Sequence, residues 1–170
     1  MWRLTGAALL TGVGLWMGLQ AAEELRGRAR ALESWAAVLA LWEGELSFRL
    51  PDLPRLLADL SRRSPGPAGE ALAAVCRGLS RLGEEPFSQI WAEALTREAG
   101  PLTPGDLEPL LRLGGLLGRR GWEEQRSAAE RTRLALERRA AQLREDLGRK
   151  GRAYGALGLS LGAFAAILLL

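Results

Sequence analysis

The stretch AYGALGLSLGAFAAILLL, residues 153–170, holds no charge and runs to the end of the sequence. At 1.5 Å per helical residue it spans roughly 27 Å, close to the roughly 30 Å hydrocarbon core of a bilayer. A helix buried in a soluble protein has no reason to be apolar on every side. Arg149, Lys150 and Arg152 end the run abruptly, and such side chains cost about 2.5–3.5 kcal/mol each at the bilayer centre. The stretch therefore reads as a transmembrane helix with a charged collar on one side.

The beginning of the sequence mirrors the end. Residues 4–22, LTGAALLTGVGLWMGLQAA, are again uncharged, with only Arg3 ahead of them. A cleaved signal peptide is the alternative. The meagre basic start and the poor small-residue site around Leu19 to Ala21 favour an uncleaved span. Glycines four apart, Gly14 with Gly18 and Gly158 with Gly162, would let these helices pack closely on each other or on a partner's helices. Arg26, Arg28 and Arg30 follow the first span, and the second collar precedes the last. The positive-inside bias then places residues 23–152 in the cytoplasm and both termini outside, on the cell membrane. Three regions follow: an N-terminal span (1–22), a cytoplasmic body (23–152) and a C-terminal span (153–170).

The body reads as helix throughout. Leu25, Leu32, Trp35, Leu39, Trp42 and Leu46 form a heptad-like stripe that carries the first span on to Leu50-Pro51. Asp52 can cap a second helix, from Leu53 to about Arg62, with Leu53, Leu56, Leu57 and Leu60 on one face. After the turn Ser64-Pro65-Gly66-Pro67, a third helix runs from Ala68 to Leu82, with Leu72, Val75, Cys76 and Leu79 inward. A fourth, Phe87 to Ala99, gathers Ile90, Trp91, Ala94 and Leu95. Thr103-Pro104 opens a fifth that reaches about Arg119. Beyond Gly121 a last helix carries Trp122, Ala129, Leu136, Ala140, Leu143 and Leu147 into the terminal span. The expected fold is all-α, a six-helix bundle whose first and last helices continue into the membrane.

Several classes of chemistry find no footing. There is no histidine, so the commonest general base and metal ligand are missing. Cys76 is the only cysteine and lies on an apolar stripe, as a small inert hydrophobe does. The pairs Glu84-Glu85 and Glu123-Glu124 point in different directions on a helix, and Gly114-Gly115 lacks the lysine and hydroxyl of a P-loop. Trp35, Trp42 and Trp91 fall on core faces, and Trp2 and Trp16 belong to the first span. The net charge of +3 comes from arginines interleaved with glutamates. That is a solvated helix surface and not a nucleic-acid stripe. No catalytic, cofactor or metal residue is expected.

Residues 42–57, WEGELSFRLPDLPRLL, are the most specific stretch. Glu43 and Glu45 end an apolar helix, and a proline-bounded turn reverses the chain through Leu53-Pro54. The stretch resembles the stage III sporulation protein AB family of endospore-forming bacteria, where a Leu-Glu-x-Glu-Ile helix end precedes an aromatic and a Thr-Pro-Leu-Pro turn. Glu43, Glu45, Leu46, Phe48, Leu53 and Pro54 match, while Pro51 and Asp52 replace Thr-Pro. Trp91-Ala92-Glu93-Ala94-Leu95 resembles that family's aromatic-alanine helix. Leu113-Gly114 and Leu117-Gly118, followed by Gln125, resemble its Leu-Gly-x-x-Leu-Gly-x-Ser-Asp segment. Arg120 and Gly121 stand where Ser and Asp are expected, so that acidic position does not carry over.

The resemblance implies a non-enzymatic membrane platform in the channel complex between mother cell and forespore, related to the inner-membrane platform proteins of type II secretion and type IV pilus systems. It implies docking of a cytoplasmic ATPase of the stage III AA type and contact with other channel subunits, in the mother-cell membrane facing the forespore. Glu43, Glu45, Leu53, Pro54, Gly114, Gly118 and Gln125 become candidate partner-binding residues. Pairing of the two glutamates with nearby arginines, and close helix packing at the glycines, are the structural alternatives. A two-span sensor binding a small ligand inside the bundle is the rival function.

Overall fold

A computed structural model describes the backbone of residues 2–48, 52–117 and 121–169, and the side chains of 16, 18–45, 52–117, 121 and 123–149. Six α-helices follow one another among these residues: α1 (Trp2–Phe48), α2 (Leu53–Arg63), α3 (Pro67–Gly78), α4 (Phe87–Arg97), α5 (Pro104–Leu116) and α6 (Trp122–Leu169). A 3-10 turn, Leu79–Arg81, follows α3, and no strand forms among the described residues. The first and last helices are 47 and 48 residues long.

Two compact units divide the chain. One is continuous, Gly27–Ala140; the other joins Met1–Arg26 with Ala141–Leu170. The continuous unit holds the main core. Leu32, Trp35, Leu39 and Trp42 of α1 are buried at the expected steps, and Ala31, Ala36 and Val38 widen the stripe. Leu56, Leu57 and Leu60 of α2, Leu72 and Val75 of α3, Leu107, Leu110 and Leu113 of α5, and Ala129, Leu136 and Ala140 of α6 close upon it. Burying an aliphatic side chain of this size contributes roughly 1.5–3 kcal/mol. These stripes therefore hold helices too short to be stable alone.

Trp91 of α4 sits at the centre and is fully buried. Its ring meets Trp35 and Trp42 edge-on, each with centroids 6.3 Å apart, and Phe87 at 5.9 Å. Aromatic pairs in this geometry add about 0.5–1.5 kcal/mol beyond area burial. The indole Nε1–H donates to the Leu110 carbonyl at 2.8 Å, so the polar atom of Trp91 is satisfied inside the core.

Four expectations need correction. α3 stops at Gly78 and tightens into the 3-10 turn, because Leu82 is 52% exposed and offers no packing to extend the helix. Cys76 and Leu53 are only half-buried and stand at the edge of their stripes. Asp52 occupies the cap position of α2, yet its side chain caps nothing. Pro54 removes one of the two N–H groups that such a cap would bind, and only the Asp52 carbonyl is used, by Leu56 N–H at 3.0 Å. α5 ends at Leu116, because Leu117 turns extended and is buried.

No helix is long and apolar enough to cross a membrane among the described residues. Most side chains of both expected spans lie outside those residues, as do Leu46 and Trp122.

Candidate functional site

The residues singled out from the sequence fall into three environments. Glu43 and Glu45, two residues apart near the end of α1, are both paired. Glu43 accepts the Arg133 Nε–H of α6 at 2.9 Å, with the two side chains only 18% and 22% exposed. Arg133 also donates to Glu137 at 2.8 Å. Its ionisation is pushed higher still, chiefly by the hydrogen bond to Glu43. Glu45 accepts Arg63 of α2 at 2.8 Å, with side chains 40% and 52% exposed. The first pair ties α1 to α6 from within a packed surface, and the second is an open surface pair.

Leu53 is half-buried and Pro54 exposed at the start of α2. Gln125 is half-buried in the first turn of α6, where its N–H reaches the Gly121 carbonyl at 3.1 Å. Gly114 lies in the core. A Cβ there would stand 2.1 Å from Trp91 Cδ1, so only glycine lets α5 approach the central ring. Gly118 lies outside the described residues, as do the surroundings of Gly14, Gly158 and Gly162. A Cβ at Gly18 would meet no described atom within 4 Å.

The most occupied polar group went unnoticed in the sequence. Asp106, at the third position of α5, is 1% exposed. Its Oδ2 accepts Arg28 Nε at 3.0 Å and an Arg28 terminal nitrogen at 2.8 Å, both from α1. The same oxygen accepts the Thr103 N–H at 3.1 Å and the Thr103 hydroxyl at 2.7 Å. Oδ1 accepts Arg139 Nε of α6 at 3.3 Å. Burial pushes this carboxyl up, but the Thr103 hydroxyl and N–H, and then Arg28, together hold it below the usual carboxylate range. One carboxylate thus joins three helices. The local signal was Thr103-x-x-Asp106, the spacing of a capping box. The two arginines, far away in sequence, had no local signal.

Burial raises the Cys76 thiol, which keeps it protonated and unreactive at neutral pH. Among the described residues, no three His, Cys, Asp or Glu side chains gather as metal ligands would.

The sequence profile of the family described as stage III sporulation protein AB matches residues 3–170. The chain belongs to the stage III sporulation protein AB family. A solved structure titled stage III sporulation protein AB resembles the fold with a TM-score of 0.63, over 72% of this chain and 97% of that one, at 18% identity. No curated protein matches the chain. Membership gives the protein a role in sporulation, with other stage III components.

Within the chain, the three motifs that carried the resemblance converge. Trp42 opens the first, Trp91 the second, and Gly114 belongs to the third; the Trp91 ring meets Trp42 and leaves no room for a side chain at Gly114. Those motifs therefore describe the packing centre of the bundle. Beside it, Pro54 and Glu93 are exposed, and Glu43 and Glu45 are half-buried.

Proposed function

We propose that this chain is a non-enzymatic platform subunit of the mother-cell to forespore channel complex, anchored by spans at 4–22 and 153–170 and docking a cytoplasmic ATPase of the stage III AA type. The observation that carries this reading is the extent of the family match: residues 3–170 take in both uncharged terminal runs as well as the bundle. Two features support the anchor. Arginine and lysine collars flank the runs on their inner sides. Trp16 and Leu19, within the first run, are 64% and 58% exposed, an apolar surface that a bilayer would cover.

The bundle would face the mother-cell cytoplasm, where the ATPase is. The rival reading, a ligand-binding sensor, needs room inside the helices, and Trp35, Trp42 and Trp91 fill that interior. Docking is proposed at the surface around Glu45, Leu53 and Pro54, where side chains are accessible, with Glu43 holding that surface to α6. Other channel subunits would be met through the spans.

Co-purification of the ATPase with the full-length chain in detergent tests the reading. Wild type retains the ATPase; Glu45→Lys loses it while the melting temperature changes little. Failure of the wild type to retain the ATPase would contradict docking, and retention by Glu45→Lys would move the docking face elsewhere.

A further inference from the structure

Two turns, 64–66 between α2 and α3 and 98–103 between α4 and α5, meet at one end of the continuous unit. A Cβ on Gly100 would stand 3.7 Å from the Pro67 Cβ, so the turns lie against each other. A Cβ on Gly27 would stand equally close to the Pro101 Cβ, and Arg28 donates to the Thr103 hydroxyl at 3.3 Å. The second turn therefore also lies against α1, at the residue where that helix enters the unit.

These turns differ in composition from the turn at the other end of α3. Residues 64–69 and 99–105, SPGPAG and AGPLTPG, carry no charge in a chain that is 25% charged. The other turn holds Arg81, Glu84 and Glu85 around the exposed Leu82. Pro65, Gly66, Gly100, Pro101, Pro104 and Gly105 are exposed. Each proline lacks the N–H that a turn otherwise presents to water.

Five residues of unbroken helix separate Gly27 from Ala22, the last residue of the first uncharged run. Five helical residues rise about 7.5 Å, and the headgroup layer on each side of the hydrocarbon is roughly 5–7.5 Å thick. A tether this short holds Gly27, and the turns against it, near the depth of the headgroups. We infer that the paired turns are a membrane seat, an uncharged proline–glycine surface that rests in the phospholipid headgroup layer beside the first span. A turn with two glutamates, like the one at Leu82, would be repelled there by anionic lipids. The tether itself carries Glu23 and Glu24 with Arg26, which meets Glu23 at 3.4 Å. Its charges are mixed, so the contact does not depend on net charge and should survive high salt. The inference rests on the proposed first span, and it adds a second contact with the bilayer that the span alone does not require.

Fluorescence quenching tests the seat in the full-length chain on a Cys76→Ser background, with one cysteine at a time labelled with bimane. The protein is reconstituted into vesicles of phosphatidylcholine and phosphatidylglycerol. Labels at Pro65→Cys and Pro101→Cys should lose most of their emission to a nitroxide on the lipid headgroup and little to aqueous iodide. A label at Leu82→Cys should do the reverse, because α3 carries the chain roughly 16 Å from Pro67 to Gly78 before that turn begins. Pro65 is exposed, so the seat remains testable if Pro101→Cys disturbs the contact with Gly27. Loss of headgroup quenching in high salt would overturn the seat in favour of a charge-driven contact.

A label at Trp16→Cys, within the first run, separates the two ways of failing. If an acyl-chain nitroxide quenches it while the labels at 65 and 101 behave like the one at 82, the seat is overturned and the span stands. If only iodide reaches it, the span is overturned and the seat with it. Protection of 65 and 101 from both quenchers would overturn the seat in favour of a second copy of the chain covering these turns.

Discussion

Two charged regions of α1 look alike in the sequence and differ in the structure. Around Arg28 the helix is tied to α5 and α6 through Asp106, whose side chain is wholly shielded from water. Around Glu43 and Glu45 it is tied to α6 and α2 through pairs that water reaches. A charge in the first region can be removed only by leaving its partners facing one another without an anion. A charge in the second can be replaced by water. The stretch that looked functional is thus the more forgiving, and the one that looked like a collar is the more structural.

The largest effect that could break this contrast is at Asp106. Asp106→Ala should destabilise the protein by about 3 kcal/mol, as removing one member of a buried charge cluster does. Urea unfolding followed by far-UV circular dichroism would measure it, and a loss under 1 kcal/mol would erase the difference between the regions. The pH dependence has a definite sign. Because the folded carboxyl is held below its unfolded value of about 3.9, its contribution is whole above that pH and is lost as pH falls through the folded value. Asp106→Asn should therefore flatten stability below pH 4 relative to wild type.

Gly114→Ala comes next, because its Cβ would overlap the Trp91 ring. A loss of about 1–3 kcal/mol is expected from overpacking, with a change in tryptophan fluorescence. A neutral outcome would return Gly114 to the list of surface candidates. Glu43→Ala should then cost about 1.5 kcal/mol, since it strips a charged hydrogen bond from a mostly covered arginine. Glu45→Ala should cost under about 1 kcal/mol and nothing measurable at high salt, as exposed pairs do. If Glu43 and Glu45 proved equal in thermal melts, the grading by exposure would be wrong.

What the sequence made legible follows from what acts locally. The stripe Leu32, Trp35, Leu39 and Trp42 and the stripe Ala129, Leu136 and Ala140 were readable because helical period and burial coincide. The motif residues were also readable, but their role was not: Trp91 and Gly114 lie far apart in the chain, and only the packed bundle shows that one requires the other. Asp106 illustrates the remaining gap. Its cap was encoded three residues away, but Arg28 and Arg139 reach it only after three helices have assembled. Asp52 shows the converse, a residue of the right type whose cap fails because proline follows.

The account turns on whether the bundle hangs inside the mother cell between two spans. Cysteine labelling in intact sporulating cells tests this most directly, with a cysteine placed at the exposed Ser127 of α6 in a Cys76→Ser background. The account predicts no reaction with a membrane-impermeant maleimide until the cells are permeabilised, and full reaction afterwards. Labelling of intact cells would place the bundle on the far side of the membrane and contradict the platform.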